Sequence, residues 1–219
     1  MNRSKNFLLW LLAFALIFLC IAAGRWQLSK GLNLSKKNSS ISVQELRTPI
    51  LNPKSIDGNS DQWKKYQLDG HFLEDYRLIK NQYQDGTFGY HVLQNFDSKS
   101  LGMIHVDRGW VKAGSTALTP PTVPKVNLDE DQIVVRLRSE FLNSHLGGTL
   151  FALPVTKPKI REIYFDLLRS KKNPPISDIQ LPDLSTGPHF AYAFQWFAFA
   201  LVILIGRLIL RTKLNSKTN

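Results

Sequence analysis

The stretch from Gly187 to Arg211, GPHFAYAFQWFAFALVILIGRLILR, limits the possible folds more than any other part of the chain. No charge interrupts it from Phe190 to Gly206, and only Tyr192, Gln195 and Trp196 offer a polar group. At about 1.5 Å per residue this is a helix of roughly 25 Å, and the turns after Arg207 carry it past the roughly 30 Å of a bilayer core. A second uncharged run, Phe7 to Ala23, lies at the other end of the chain. The run alone also fits a buried core helix or a signal peptide. Two such runs flanking one modest domain predict two membrane spans.

Orientation follows from lysine and arginine in the short flanks. Arg207, Arg211, Lys213 and Lys217 follow the second run without an acidic residue, which puts the C-terminus in the cytoplasm. The first run is less decisive, with Arg3 and Lys5 before it and Arg25, Lys30, Lys36 and Lys37 after it. Two spans place both termini on one side. The expected division is therefore a cytoplasmic N-terminus at 1–6, a first span at 7–24, an outward domain at 25–188, a second span at 189–210 and a cytoplasmic tail at 211–219.

The formal charge of +11 is spread unevenly. From Arg25 to His189 there are 22 basic and 17 acidic residues, a mild excess concentrated near the spans. Lysines close to anionic headgroups account for it, and no arginine stripe marks a nucleic-acid face. The one cysteine, Cys20, excludes an internal disulfide and a paired-thiol copper site. Inside the first span it reads as a small apolar side chain. A lipidated cysteine is the competing reading, disfavoured by the bulk of Ile17, Phe18 and Leu19.

Between the spans the periodicity shortens to strands. After a polar approach with a short helix at Ser42–Leu46, strands are expected at Trp63–Leu68, Gly70–Phe72, Tyr76–Asn81, Phe88–Phe96, Gly102–Val111, Gln132–Arg138 and Ile160–Phe165. Asp85-Gly86 marks a turn, and Lys112–Asp131, with Pro120, Pro121 and Pro124, a long loop. Gly147 and Gly148 break the pattern, Asp166–Arg169 reads as a short helical turn, and Lys171–Pro188 as a linker. The fold class is a membrane protein with two transmembrane α-helices flanking a β-dominated (α+β) extracytoplasmic domain built on an antiparallel sheet.

Catalytic signals are absent. His71, His91, His105, His145 and His189 show no HxH or HExxH spacing, and there is no phosphate loop or nucleophile elbow. Histidines in strands read as hydrogen-bonded structural groups. Asp107-Arg108-Gly109-Trp110 has two readings: a ligand site in which Arg108 pairs with a carboxylate and Trp110 stacks on a ring, or, as favoured, an Asp/Arg pair at a strand end with Gly109 in a bulge and Trp110 closing the core. His189 lies at the membrane edge, and on a helix Tyr192, Ala193, Trp196 and Ala200 fall within about 60° of its direction at 100° per residue. Such a face suits either a flat porphyrin beside the span or the packing of a second helix.

Three blocks resemble the Surf1/Shy1 family of membrane proteins that assist assembly of haem-copper oxidases. They are Gly24-Arg25-Trp26-Gln27, then Gly89-Tyr90-His91-Val92 with Val106-Asp107-Arg108-Gly109-Trp110-Val111, and Gly187-Pro188-His189 with Tyr192-Ala193 and Gln195-Trp196-Phe197. Lys30 stands where the family commonly has an arginine, and Leu32 and Asn33 where a tryptophan and a basic residue often follow. The resemblance implies a non-enzymatic factor that binds haem A, or helps deliver it to subunit I of cytochrome c oxidase. His189 is the implied ligand of the haem iron, with Tyr192 and Trp196 shaping the pocket. Gly24, Trp26, Gln27, Arg108, Gly109, Trp110 and Gln195 are implied signature positions. A bacterial inner membrane, a periplasmic domain and haem A synthesis enzymes as further partners complete the expectation. The alternative is a structural chaperone that stabilises the oxidase subunit without binding haem.

Overall fold

A computed structural model describes residues 3–115, 119–140, 144–146 and 162–215. It divides into a helical unit, Met1–Ser40 with Pro182–Asn219, and a second unit, Ile41–Leu181.

Two helices make the first unit: α1, Arg3–Leu46, whose last turns belong to the second unit, and α2, His189–Asn215. Both are long and apolar enough to cross a membrane. Helix α1 does not stop where its apolar run ends at Gly24; the polar approach continues it, so the short helix expected at Ser42–Leu46 is its last turn. Among its covered positions, Trp10, Ala13, Ile17, Cys20, Gly24, Gln27, Gly31, Leu34 and Asn38 recur at alternating steps of three and four. Among those of α2, His189, Ala193, Trp196, Ala200, Ile203 and Arg207 do the same. A repeat averaging 3.5 residues keeps one stripe facing a partner along a left-handed supercoil. The pairing is antiparallel, since Arg207 bonds to Asn6 while His189 bonds to Gln27.

Small residues set the approach of the two helices. A Cβ placed on Gly24 would lie 2.7 Å from Phe197 Cε1, so the absent side chain is the space the ring occupies. Ala193 and Ala200 are buried in the stripe. Away from it, Phe7, Phe18 and Phe194 are 71–75% exposed. Lipid is the solvent that makes such an exterior favourable.

In the second unit the strands are β1 Ile50–Leu51, β2 Lys65–Gln84, β3 Thr87–Ser98, β4 Gly102–Lys112, β5 Asp131–Glu140, β6 Ser144–Leu146 and β7 Glu162–Ser170. The predicted strand at Trp63–Leu68 and Gly70–Phe72 and the second at Tyr76–Asn81 are thus one long strand, β2, with irregularities between Phe72 and Tyr76 and between Ile79 and Gln82. Its first part, Lys65–Gly70, pairs with β5, and from Gly70 onward it pairs with β3. Because the order β2-β3-β4-β7-β5 returns to β2, these five strands close into a barrel. Pairing is antiparallel except for β1 with β2 and β4 with β7.

Alternating side chains fill the barrel: Tyr66, Leu68, Phe72, Phe96, Val106, Ile133, Val135, Leu137, Phe165 and Leu167 form one buried cluster. Each fully buried side chain of this size contributes about 1.5–3 kcal/mol. Two local expectations change. Asp166–Arg169 is strand, because Asp166 and Leu167 pair with Arg136 and Val135 of β5 and Leu167 is needed in the core. Trp63 precedes β2 with φ of 73°, its ring buried under Arg138 at 4.3 Å. Predicted features at Gly147, Gly148 and Ile160 lie outside the described residues.

Candidate functional site

Gly187, with φ of 58°, and Pro188 turn the chain into α2, so that His189 is its first residue. The strap before it is fixed by Asn38, whose buried amide donates to the carbonyls of Leu184 at 2.6 Å and Ser185 at 3.1 Å. His189 is half-buried in the stripe, and its Nδ1–H donates to Gln27 Oε1 at 2.8 Å. That bond selects the tautomer with the lone pair on Nε2, the arrangement a metal-binding imidazole uses. Two residues 162 positions apart therefore make one polar pair on the helical unit.

The other residues implied for this site take different positions. Tyr192 is 47% exposed on the flank, while Trp196 is half-buried and packs edge-on against Phe199 at 6.0 Å. Ala193 and Ala200 serve the helix contact, the second of the two readings open for that face. Trp26 and Gln195 are exposed, with Lys30 Nζ 6.0 Å from the Trp26 ring. Phe190, which covers Gly31, was not singled out by sequence, and Phe197, which covers Gly24, only as part of a motif. Neither was Arg207 as a buried group: it donates to Asn6 and lies 4.7 Å over the Trp10 ring. A small residue opposite a bulky one in a second apolar run was the available signal.

A haem requires an imidazole nitrogen with a free lone pair beside apolar surface. The His189–Gln27 pair supplies the first, and the exposed rings of Tyr192 and Trp26 offer the second, so the residues fit one axial ligand. Among the described residues no group of three or more His, Cys, Asp or Glu side chains could hold a separate metal ion.

The SURF1 family model matches residues 14–201, which takes in the barrel and part of both helices. The chain belongs to the SURF1 family. Uncharacterized SURF1-like proteins of Mycobacterium bovis and of two strains of Mycobacterium tuberculosis are each 24% identical to it, over 90% of this chain and 79% of theirs.

In this SURF1 family chain the strand block is a structural knot. Arg108 is buried and donates to Pro124 O at 2.9 Å and Gln94 Oε1 at 3.3 Å, while its own carbonyl accepts from Ile176 N–H at 2.6 Å. The expected Asp107–Arg108 pair does not form, because neighbours on a strand point to opposite faces. Asp107 instead accepts from His91 Nδ1–H at 2.8 Å and from the Gly109 amide at 2.8 Å. Gly109, at φ of 114°, brings the backbone against Ser177, where a Cβ would lie 2.6 Å from the Ser177 nitrogen. Trp110 N–H donates to Ser177 Oγ at 2.7 Å, and its half-buried ring lines a pocket instead of closing the core. His105 donates from Nδ1 to Asn95 Oδ1 at 2.9 Å, and burial, helped by Arg77, holds it below the usual histidine value.

Proposed function

We propose that this protein is a non-enzymatic assembly factor for a haem-copper oxidase, which holds haem A at the outer edge of a bacterial inner membrane and helps place it in subunit I. The observation that carries the reading is the His189 Nδ1–H bond to Gln27 Oε1, which leaves Nε2 as the basic nitrogen. His189 would hold the haem iron through that nitrogen, and the bound haem would supply redox chemistry once placed in the oxidase. Gln27 would orient the imidazole, and the exposed rings of Tyr192 and Trp26 would offer apolar surface. The domain faces the periplasm and both termini the cytoplasm, as the charges after Arg207 favour.

Protein purified from cells that make haem A should carry a haem spectrum, and His189→Ala should abolish it. Gln27→Leu should retain the spectrum but weaken haem retention by about tenfold or more, the usual effect of removing the partner of a ligating histidine. An unchanged spectrum in His189→Ala would remove His189 as the ligand, whereas wild-type protein without haem that still co-purifies with the oxidase subunit when haem synthesis is blocked would leave the structural-chaperone reading.

A further inference from the structure

The barrel unit contains a pocket of about 390 Å³ whose chemistry is unrelated to the helical pair. It opens beside β3, β4 and β7. Asp166 lies at its floor and is fully buried. Its Oδ2 accepts from Arg136 Nε and Nη2 at 2.9 and 2.7 Å and from Arg138 Nη1 at 3.2 Å. Its Oδ1 is equally buried and accepts no hydrogen bond among the described residues. A buried carboxylate oxygen without a donor keeps its full desolvation penalty, so the position calls for a donor that the described residues do not provide. We propose that this pocket binds the ammonium or guanidinium end of an organic cation, with its donor at Asp166 Oδ1.

The sign of the charge follows from what surrounds that oxygen. Asp107 is the direct cross-strand neighbour of Asp166, and the exposed carboxylates of Asp85 and Asp178 stand at the rim. Among the described residues the lining sets Arg138 and His91 against these four acids. The charge of Arg138 is already engaged by Asp166 and by the rings of Trp63 at 4.3 Å and Tyr164 at 5.9 Å. A neutral donor would satisfy Oδ1 but leave the rim carboxylates without a role, and an anion would be repelled. Tyr83, Trp110 and Tyr164 add aromatic faces, which attract a cation and accept the alkyl stem behind it. The volume falls within the range of pockets that enclose small ligands.

The full chain in detergent micelles can be titrated by calorimetry and saturation-transfer NMR with Nα-acetyl-arginine amide, spermidine, the tripeptide Gly-Arg-Gly amide and sodium propionate. The cations should bind, propionate should not, and Asp85→Asn/Asp178→Asn should weaken the cations by about tenfold while leaving thermal stability unchanged, since both positions are exposed. Tighter binding of the tripeptide assigns the site to a basic side chain of a polypeptide, and tighter binding of spermidine to a free polyamine. Asp166→Asn would also disturb the Arg136 pair, so the rim variant is the decisive one. No cation response up to about 10 mM, competition by propionate, or an affinity untouched by the rim variant would overturn the proposal.

Discussion

At the scale of single residues, the outcome of each polar group depends on whether a partner waits across the fold. His91 illustrates this. Burial opposes its charged form, but the hydrogen bond and charge of Asp107 outweigh burial and hold its pKa above the ordinary histidine value. A raised folded pKa contributes stability that is complete below about pH 6.5 and fades as pH rises through the folded value. Urea midpoints measured from about pH 6 to about pH 8 should therefore fall in the wild type more steeply than in Asp107→Asn, which lacks the charge. Equal slopes would mean that the pair carries no charge coupling. The sequence identified Asp107 but assigned it to Arg108, its neighbour in sequence. Strand geometry forbids that pair, and the partner on β3 becomes visible only with the register. His189 was legible as a boundary residue. Gln27 was legible only as part of a motif, because nothing in either flank states which turn of α1 faces which turn of α2.

At the scale of elements, the two helices were readable from apolarity alone, and their contact from the spacing of small residues. The 3.5-residue stripe runs through Gly24 into the polar part of α1, beyond the membrane-length run, where hydrophobicity gave no reason to extend it. Gly24→Leu should force the helices apart or displace Phe197, destabilising the helical pair by about 1–3 kcal/mol. Gly24→Ala should cost less, because the Phe197 ring is 36% exposed and has room to swing aside. Thermal unfolding in detergent separates these outcomes, and a Gly24→Leu protein as stable as the wild type would show that the contact is loose. Strands were located well where turn residues bounded them. The helical turn assigned to Asp166–Arg169 failed because a run with both faces covered has no alternation to read. Tyr164, Phe165, Asp166 and Leu167 are buried in succession, with the charged Asp166 held in place by two arginines from β5.

At the scale of the whole molecule, the two-helix, one-domain plan was evident from the distribution of charge and apolarity, whereas barrel closure was not. Closure depends on β2 changing partner at Gly70, and no local pattern announces a change of partner. Orientation across the membrane is open to a direct measurement. A fluorescent protein that matures only in the cytoplasm, fused after Lys213, should fluoresce, and alkaline phosphatase at the same place should be silent. The reverse result would invert the topology and move the His189 edge to the cytoplasmic face. The closed ring also orders events during synthesis. Strand β7, ending at Ser170, lies between β4 and β5 in the sheet, and α2 begins soon afterwards at His189. A growing chain therefore exposes four of the five barrel strands unclosed, and Gln27 waits for a partner made 162 residues later. The barrel and the helix pair are thus both completed by segments made after β5, so a chain truncated before β7 should retain neither.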